Sequence, residues 1–362
     1  MPEPIKNCFN KKFIQSLATD IQSHYPAFDI KSFTRTIFSN DWNEKELKQR
    51  MRHISITLHE YLPANYKKAL TILKKTSRQS SGFEYMLFPD FIEVYGLDHY
   101  DESIKALEYF TKHSSSEFAV RPFIVKYNTQ MMEQMGLWAT SDNHHVRRLA
   151  SEGCRPRLPW AMALPKFKQS PKPVIKILDR LRNDESEYVR RSVANNLNDI
   201  SKDHPDLIID IAKKWLGKNP EMDWLVKHGC RTLLKKGEPD ILNLFGYSTP
   251  DHITTTQLTS TTKLNIGDDL LFSFAIKSKK KPLGKLRIEY AIDFVKSNKK
   301  LSRKIFKVTE GNYDTLSKQI NKKHSFRLIT TRTYYPGLHK LAIIINGKQL
   351  CQTQFELKQE IN

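Results

Sequence analysis

The sequence predicts an α-solenoid of HEAT-like repeats over residues 1–245, followed by an immunoglobulin-like β-sandwich over residues 246–362. Two observations predict this multidomain α-then-β arrangement. A motif that begins at Val146 partly recurs 43 residues later at Val189, a spacing typical of stacked helix pairs. Near residue 246 the apolar pattern changes from a helical spacing to an alternation with a period of two.

Apolar residues recur every three or four positions through the first part of the chain, as they do on the buried stripe of a helix. The sets are Phe13, Leu17 and Ile21; Leu47, Met51, Ile54 and Leu58; and Tyr66, Ala69, Leu70 and Leu73. We therefore expect short helices, each burying one face.

The repeated motif is arginine-rich. Val146–Arg148 and Val189–Arg191 both read Val-Arg-Arg, and residues 225–233 resemble a degraded third copy. Solenoid helices do not need paired arginines in their cores, so we expect these arginines to face outward and to line a basic surface.

The C-terminal part reads as strands. Apolar and polar residues alternate over Leu286–Phe294, which predicts a strand with one buried face. Asn346-Gly347 predicts a tight hairpin. The other predicted strands are Leu270–Ile276, Lys304–Val308, Ser325–Thr330, Lys340–Ile345 and Leu350–Leu357. About seven short strands favour an immunoglobulin-type sandwich, although the Cys…Trp…Cys pattern of antibody domains is missing.

The charge balance restricts the partners. The formal net charge is +20 and the sequence pI is about 9.6, which favours a polyanion, with DNA or RNA as the first candidate. A membrane surface is the second candidate, but neither end carries a basic amphipathic helix with an aromatic face. The chain has no apolar run of 18 residues and no visible secretory signal, so we expect a cytosolic protein.

Cysteine usage argues against a metal. The four cysteines lie far apart, with no Cys-x-x-Cys pair, which fits free thiols in a reducing compartment and not a zinc site. We find no phosphate-binding glycine loop and no nucleophile with a recognisable base, and we expect no cofactor and no metal.

The densest basic run of the second domain contains Lys277, Lys279, Lys280 and Lys281. Residues 251–362 hold 21 Lys and Arg against 9 Asp and Glu. The run is predicted to lie in a turn. Either it contacts phosphates, or it is a solvated loop that protects strand edges from aggregation; the sequence leaves both interpretations open.

Carboxylates occur among the arginines of the motif. Glu152 follows Arg148 by four residues and Asp199 follows Arg191 by eight, so each acid shares a helix face with an arginine. Carboxylates repel phosphates, and their presence in a basic groove suggests catalysis. The alternative is an ordinary ion pair on a solvated helix. Trp160 could equally fill the core, as we expect of Trp138, Trp215 and Trp224.

The segments 115–122, 146–160 and 188–200 resemble the AlkC family of DNA alkylation-repair glycosylases. The similarity extends over nearly the whole chain. It implies a HEAT-like-repeat glycosylase with an immunoglobulin-like domain, which excises cationic N-alkylated bases, 3-methyladenine and 3-methylcytosine, in base excision repair. The residues that would carry catalysis are Glu117, Glu152, Trp160 and Asp199. Those assigned to DNA binding are Arg121, Arg147, Arg148, Arg155, Arg157, Arg190, Arg191, Lys279 and Lys280.

This chemistry suits the residue types. An N3-alkylated base carries a positive charge and leaves without a general acid, so the enzyme must stabilise an oxocarbenium-like sugar and position a water. A carboxylate can do both, and the face of Trp160 attracts a cationic base. We expect a monomer that acts on double-stranded DNA with alkylated bases. A non-catalytic DNA-binding repair scaffold and a protein–protein adaptor are the alternatives.

Overall fold

The computed structural model describes residues 3–39, 41–79, 81–256, 258–329 and 332–359. The helical part begins with eight α-helices: α1 (Lys11–His24), α2 (Ile30–Ile37), α3 (Leu47–Tyr61), α4 (Tyr66–Thr76), α5 (Leu87–Tyr95), α6 (Tyr100–Thr111), α7 (Val120–Lys126) and α8 (Asn128–Trp138). It continues with α9 (His144–Glu152), α10 (Pro165–Gln169), α11 (Lys172–Leu181), α12 (Glu187–Ile200), α13 (Pro205–Trp215), α14 (Pro220–Gly229), α15 (Arg231–Lys236) and α16 (Pro239–Leu244). Short 3-10 turns lie at Ile5–Cys8, Ser77–Gln79 and Phe83–Met86.

The three apolar stripes predicted from the sequence fall on α1, α3 and α4. Each helix buries the expected side, and Leu17, Ile54 and Leu73 are among its fully or almost fully buried side chains. The first two of these helices begin at polar caps: the side chain of Asn10 accepts from the Phe13 amide, and α3 begins with a capping box. The spacing of the apolar residues and the capping residues therefore both support helices at these positions.

The repeat prediction is confirmed for the first two copies of the motif. They lie on α9 and α12, and α12 packs against α9 on one side and against α14 on the other. The degraded third copy, residues 225–233, does not form one helix. It crosses the break between α14 and α15 at Cys230, so the repeat ends there.

The C-terminal part forms two β-sheets. Its strands are β1 (Ile253–Thr255), β2 (Thr259–Ser260), β3 (Lys263–Asn265), β4 (Asp269–Ser278), β5 (Gly284–Val295), β6 (Leu301–Tyr313), β7 (Ser317–Ser325), β8 (Gly337–Ile345) and β9 (Lys348–Lys358). In one sheet β4 pairs with β1, β2 and β7; the other has the order β3-β9-β8-β5-β6. Only the described pairing of β3 with β9 is parallel. The predicted sandwich is confirmed.

Two strand predictions need correction. Ser325–Thr330 is not a strand, because β7 already ends at Ser325; Thr330 lies outside the described residues. The alternating segment forms β5, but both of its faces are buried. Its polar face is stabilised by ion pairs, with Arg287 contacting Glu289 at 2.6 Å and Glu310 at 3.1 Å. In a sequence, the polar residues of a buried ion pair follow the same alternation as those of a solvated strand face.

The Asn346-Gly347 turn is confirmed, and both residues adopt positive φ, 45° and 79°. The Asn346 side chain also donates to the carbonyls of Ser248 and Lys285. A Cβ on Gly347 would lie 2.8 Å from the Cα of Gly237, in the turn after α15, so only glycine fits. This turn therefore fixes the end of the helical region against the sheet.

The described chain divides into two compact units. The first runs to His204 and includes Trp215–Gly229; the second contains Pro205–Lys214 and the chain from Cys230 onward. The change from helices to strands nevertheless falls between Leu244 and Ile253, and the domain boundary after residue 245 stays our proposal.

Among the described residues, no helix combines the length and the apolar character that crossing a bilayer requires. All four cysteines are free.

Candidate active site

Glu117 lies in the turn immediately before α7. Its Oε2 accepts hydrogen bonds from the guanidinium of Arg148 at 2.5 Å and from the hydroxyl of Ser115 at 2.8 Å. Arg148 also donates to the Ser115 hydroxyl at 3.2 Å and lies over the ring of Tyr188. The charge-assisted hydrogen bonds therefore hold this turn against α9.

Glu152 is the last residue of α9 and lies at the centre of the network. Its Oε1 accepts from Arg155 at 2.6 Å and is 3.6 Å from Arg148, so one carboxylate oxygen joins two guanidinium groups. Its Oε2 accepts from the hydroxyl of Ser192 on α12 at 2.6 Å, and that hydroxyl is 2.6 Å from the hydroxyl of Ser151. The predicted Arg148–Glu152 pair exists, but it is buried and not solvated.

Asp199 approaches the same network from α12. Its Oδ2 accepts from Arg155 at 2.8 Å, and its Oδ1 pairs with Lys202 at 3.1 Å. Asp199 is buried, whereas Arg191, which shares its helix face by spacing, is exposed. The acid therefore faces the segment after α9 and not the arginine of its own helix.

The structure thus brings Glu117, Glu152 and Asp199 into one hydrogen-bonded network with Arg148, Arg155 and Lys202. The network is formally neutral, with three acids and three bases. Side-chain exposure falls along it from 15% for Glu117 through 6% for Glu152 to 3% for Asp199. Burial alone lowers the pKa of the guanidinium groups, but the neighbouring carboxylates overcome this effect and raise the pKa of Arg148 and Arg155 above the ordinary value.

Arg121 anchors the segment between α9 and α10. It is fully buried and donates to the carbonyls of Gly153, Arg155 and Met162. Burial lowers its pKa to about 10. The prediction that Arg121 contacts DNA is wrong, because its side chain is fully buried and its Nε and Nη1 groups donate to backbone carbonyls of the protein.

The outward orientation predicted for the paired arginines is also wrong for Arg147, and the DNA contact predicted for Arg155 is not supported by its burial. Both side chains are almost fully buried, at 11% and 7% exposure. Arg147 forms a bidentate pair with Asp184 and donates to the carbonyls of Ser141 and Asp142, so it ties α9 to the turn before α12. Arginine supplies enough donors to hold several acceptors at once, which explains its use here.

The remaining predicted DNA-binding residues are more accessible. Arg190 donates to the carbonyls of Asp184 and Glu185 and is half-buried. Arg191 is 55% exposed, pairs with Glu187 and lies over the ring of Trp224. Arg157 pairs with Asp203 and is 35% exposed. Lys279 and Lys280 are exposed in the turn after β4, where the sequence predicted a turn.

Trp160 lies at the surface, on the segment held by Arg121. Its side chain is 63% exposed, and its φ of 62° is in the left-handed region that favours glycine. Its carbonyl accepts from Lys48 at 2.8 Å, and the Lys48 ammonium lies 4.8 Å from the centre of the Phe118 ring. A large exposed aromatic residue in a strained conformation indicates a functional position.

The tryptophan predictions therefore divide. Trp138 and Trp215 are core residues as expected. Trp160 does not fill the core, and Trp224 is 38% exposed, stacked on His228 and covered by Arg191.

Sequence reasoning also missed Lys48, because nothing in its neighbourhood points to a partner 112 residues away.

Sequence reasoning missed the network's hydroxyl groups and one cation: Ser115, Ser151, Ser192 and Lys202. Lys202 could have been found, because it follows Asp199 by only three residues, in the turn immediately after α12. Among the described residues, no group of three or more His, Cys, Asp and Glu side chains is placed to bind a metal ion. Burial raises the pKa of the Cys154 thiol beside this network to about 12.

Comparison with known proteins extends this description. Residues 97–231 match the family model of DNA alkylation repair enzymes, and residues 254–359 match that of the C-terminal Ig-like domain of the uncharacterised protein YhaZ. The Bacillus subtilis (strain 168) protein named uncharacterized protein YhaZ is 48% identical over 355 residues, which are 98% of this chain and 99% of that protein. The alkylpurine DNA glycosylase AlkC of Pseudomonas fluorescens, solved bound to DNA containing an abasic site analog, is 37% identical with a TM-score of 0.93. The match covers 98% of this chain and all of that one.

This chain belongs to the AlkC family of DNA glycosylases. The resemblance recognised in the motifs is thereby confirmed, together with the helical-repeat and Ig-like fold. The AlkC acid and tryptophan assignments made from the motifs, Glu117, Glu152, Trp160 and Asp199, stay predictions. Three of these four now lie in one network.

Proposed function

We propose that this AlkC-family protein removes cationic N-alkylated bases, 3-methyladenine and 3-methylcytosine, from double-stranded DNA in base excision repair. One observation carries the proposal: three carboxylates from distant parts of the chain converge on two buried arginines. A purely DNA-binding surface gains nothing from burying acids, because burial of charge is costly and the acids repel phosphate.

The alkylated base already carries the charge that a general acid would otherwise have to supply. As the glycosidic bond lengthens, positive charge moves to the sugar, and a nearby carboxylate stabilises it. Glu117 is the most accessible of the three acids, so we assign to it the contact with the sugar or with the attacking water. Glu152 and Asp199 orient Arg148 and Arg155 and set the local charge.

Trp160 supplies the second part of the site. It is exposed, its backbone is held by Lys48, and the segment that carries it is fixed by Arg121. The face of an indole ring attracts a cation, so Trp160 favours a charged lesion over a neutral base. We propose that this contact restricts the enzyme to cationic lesions.

DNA binding falls to the exposed cations. Arg157, Arg191, Lys279 and Lys280 are accessible, whereas Arg148 and Arg155 act on the carboxylates. Neutralising phosphates releases counterions, so each such contact adds to the salt dependence of binding. We propose that the protein binds as a monomer and works in the bacterial cytosol.

Base release tests the proposal directly. Duplex DNA treated with a methylating agent is incubated with the parent protein and with Glu117→Gln, and free 3-methyladenine and 3-methylcytosine are measured by chromatography. We expect the parent to release both, and Glu117→Gln to bind the duplex normally but to release them about 10²–10³-fold more slowly. Glu102→Gln is the control, because Glu102 pairs with the exposed Lys67 outside the network.

The outcomes separate the candidate functions. Duplex binding without release of any base by the parent protein would favour the non-catalytic repair scaffold. Release that survives in Glu117→Gln at the parental rate would remove that acid from the chemistry.

A further inference from the structure

A small pocket in the β-sandwich carries a cluster of cations that the glycosylase site does not use. The pocket has a volume of about 220 Å³ and lies beside the turn between β5 and β6. Lys296, Lys304 and Arg332 line it, together with polar residues that include Ser302 and Tyr335. A liquid water occupies roughly 30 Å³, so the pocket has room for a phosphate group and part of its sugar.

These three cations have no acidic partner within the described part of the chain. The nearby acids are engaged elsewhere: Asp293 forms a bidentate pair with Arg303, and Asp269 pairs with Lys323. Lys296, Lys304 and Arg332 therefore leave a local charge of +3 around one cavity, a concentration that attracts an anion.

The described side chains behind Arg332 carry no negative charge that would balance the three cations. Arg332 packs over the rings of Phe294 and Phe306, with its guanidinium carbon 4.7 Å and 5.9 Å from their centres. His324 lies behind these rings, and burial lowers its pKa to about 4, so it is neutral at pH 7. The arginine is thus held in a fixed position by packing, without an ion pair.

The neighbouring cations also affect Lys304. Burial, followed by the charges of Arg332 and Lys296, lowers the pKa of this lysine below its ordinary value. A bound anion would attract each cation and would also offset the repulsion among them. Both changes would favour binding of the anion.

The pocket is separate from the lysine run after β4. Lys279 and Lys280 precede β5, whereas Lys296 follows it, and β5 has twelve residues. At about 3.3 Å per residue the strand separates its two ends by roughly 35 Å. The two basic clusters therefore lie at opposite ends of the sandwich and can be tested independently.

We propose that the pocket formed by Lys296, Lys304 and Arg332 binds a phosphate group. Two sources share this chemistry: the backbone of DNA and a free phosphate compound. The arginine offers a planar set of donors suited to two phosphate oxygens, and the two lysines supply point charges on flexible stems.

The test compares two variants of the full-length protein that lose the same charge from the same hairpin. The pocket variant is Lys296→Gln/Lys304→Gln; the control is Lys299→Gln/Lys300→Gln, at exposed turn positions outside the pocket lining. Thermal unfolding is followed with inorganic phosphate and with chloride at equal ionic strength. Affinity for an undamaged duplex is measured over a range of salt concentrations.

If a free phosphate compound is the ligand, inorganic phosphate raises the Tm of the parent and control but not of the pocket variant, and duplex affinity is the same for both variants. If the DNA backbone is the ligand, the pocket variant binds the duplex roughly tenfold more weakly than the control, as for one charge-assisted contact. Its logarithmic salt slope then falls by about 0.9 more than that of the control. Equal behaviour of the two variants in both assays overturns the proposal. The phosphate measurement does not depend on glycosylase activity.

Discussion

Replacement of Glu152 by glutamine separates the charge of the active-site network from its shape. Glu152 Oε1 accepts from Arg155, and Oε2 accepts from Ser192. In Glu152→Gln the side-chain oxygen still accepts from Arg155. The new amide donates to Ser192, whose hydroxyl turns to donate to Ser151, while Ser151 donates to the carbonyl of Arg148. Every hydrogen bond is kept, and only the negative charge is lost.

The loss of charge sets the size of the kinetic effect. Arg148 and Arg155 retain Glu117 and Asp199 as partners, so the network changes from neutral to +1. If the sugar cation forms about 6 Å away, one unit charge at an effective dielectric constant of about 20 changes the transition-state energy by about 2.8 kcal/mol. We therefore expect base release to slow by about a hundredfold.

Stability should respond less than activity. Hydrogen bonds to charged groups contribute about 1.5–3 kcal/mol each, and the glutamine keeps weaker versions of them. Glu152→Ala, in contrast, leaves the donors of Arg155 and Ser192 that contact Glu152 unpaired, although Asp199 still contacts Arg155, and should cost about 1–3 kcal/mol for each unpaired donor. The measurements are single-turnover release of 3-methyladenine from methylated duplex and urea unfolding of both variants.

Two results would refute this reasoning. One is a Glu152→Gln rate within a few-fold of the parent, which would mean that the charge of the network does not act on the sugar. The other is an equal loss of stability in the glutamine and alanine variants, which would mean that the hydroxyl groups cannot reorganise around the amide.

Three further predictions concern residues around the network and the sandwich. In Trp160→Gly, glycine relieves the strain of the left-handed backbone, so the free energy of unfolding should stay unchanged or rise by up to about 1 kcal/mol. Base release should fall, because the indole ring is lost. Urea unfolding and release assays measure the two effects. Lys48→Met keeps the stem over Phe118 but loses the donor to the Trp160 carbonyl, so release should fall while duplex Kd and Tm stay near the parental values. The pKa of His324 is lower in the folded protein than in the unfolded chain, so on acidification the unfolded chain takes up the proton first. The free energy of unfolding should therefore fall as the pH is lowered from 6.5 to about 4. His324→Phe should make the free energy of unfolding less dependent on pH in this range.

The elements of the fold could be predicted wherever the chemistry is local. The stripe on α1 and the positive φ at Asn346 and Gly347 follow from residue type and spacing alone. The burial of both faces of β5 could not be predicted in this way. On its polar face Arg287 pairs with Glu310 of the neighbouring strand, and pairing between strands is not visible in one segment of sequence.

The active site shows the same division. The motifs proposed the acids, whose catalytic role stays a prediction, and the i, i+4 spacing of Arg148 and Glu152 correctly placed one pair. The spacing gave the wrong direction for Asp199, because that residue meets Arg155 from another helix, 44 positions away. Orientation across stacked helices depends on how the helices pack, and periodicity within one helix carries no information about that packing.

The buried arginines explain how one surface can attract DNA and also stabilise a cation. If Arg148 and Arg155 faced outward, they would strengthen phosphate binding and oppose the positive charge that develops on the sugar. Turned inward, they pair with Glu117, Glu152 and Asp199, so each carboxylate has a basic partner inside the network. The excess of +20 then lies outside this neutral network, where it can act on the DNA backbone without opposing the chemistry. Attraction to DNA and stabilisation of the cation are therefore assigned to different residues, and substitutions in the network should alter base release far more than the salt dependence of binding.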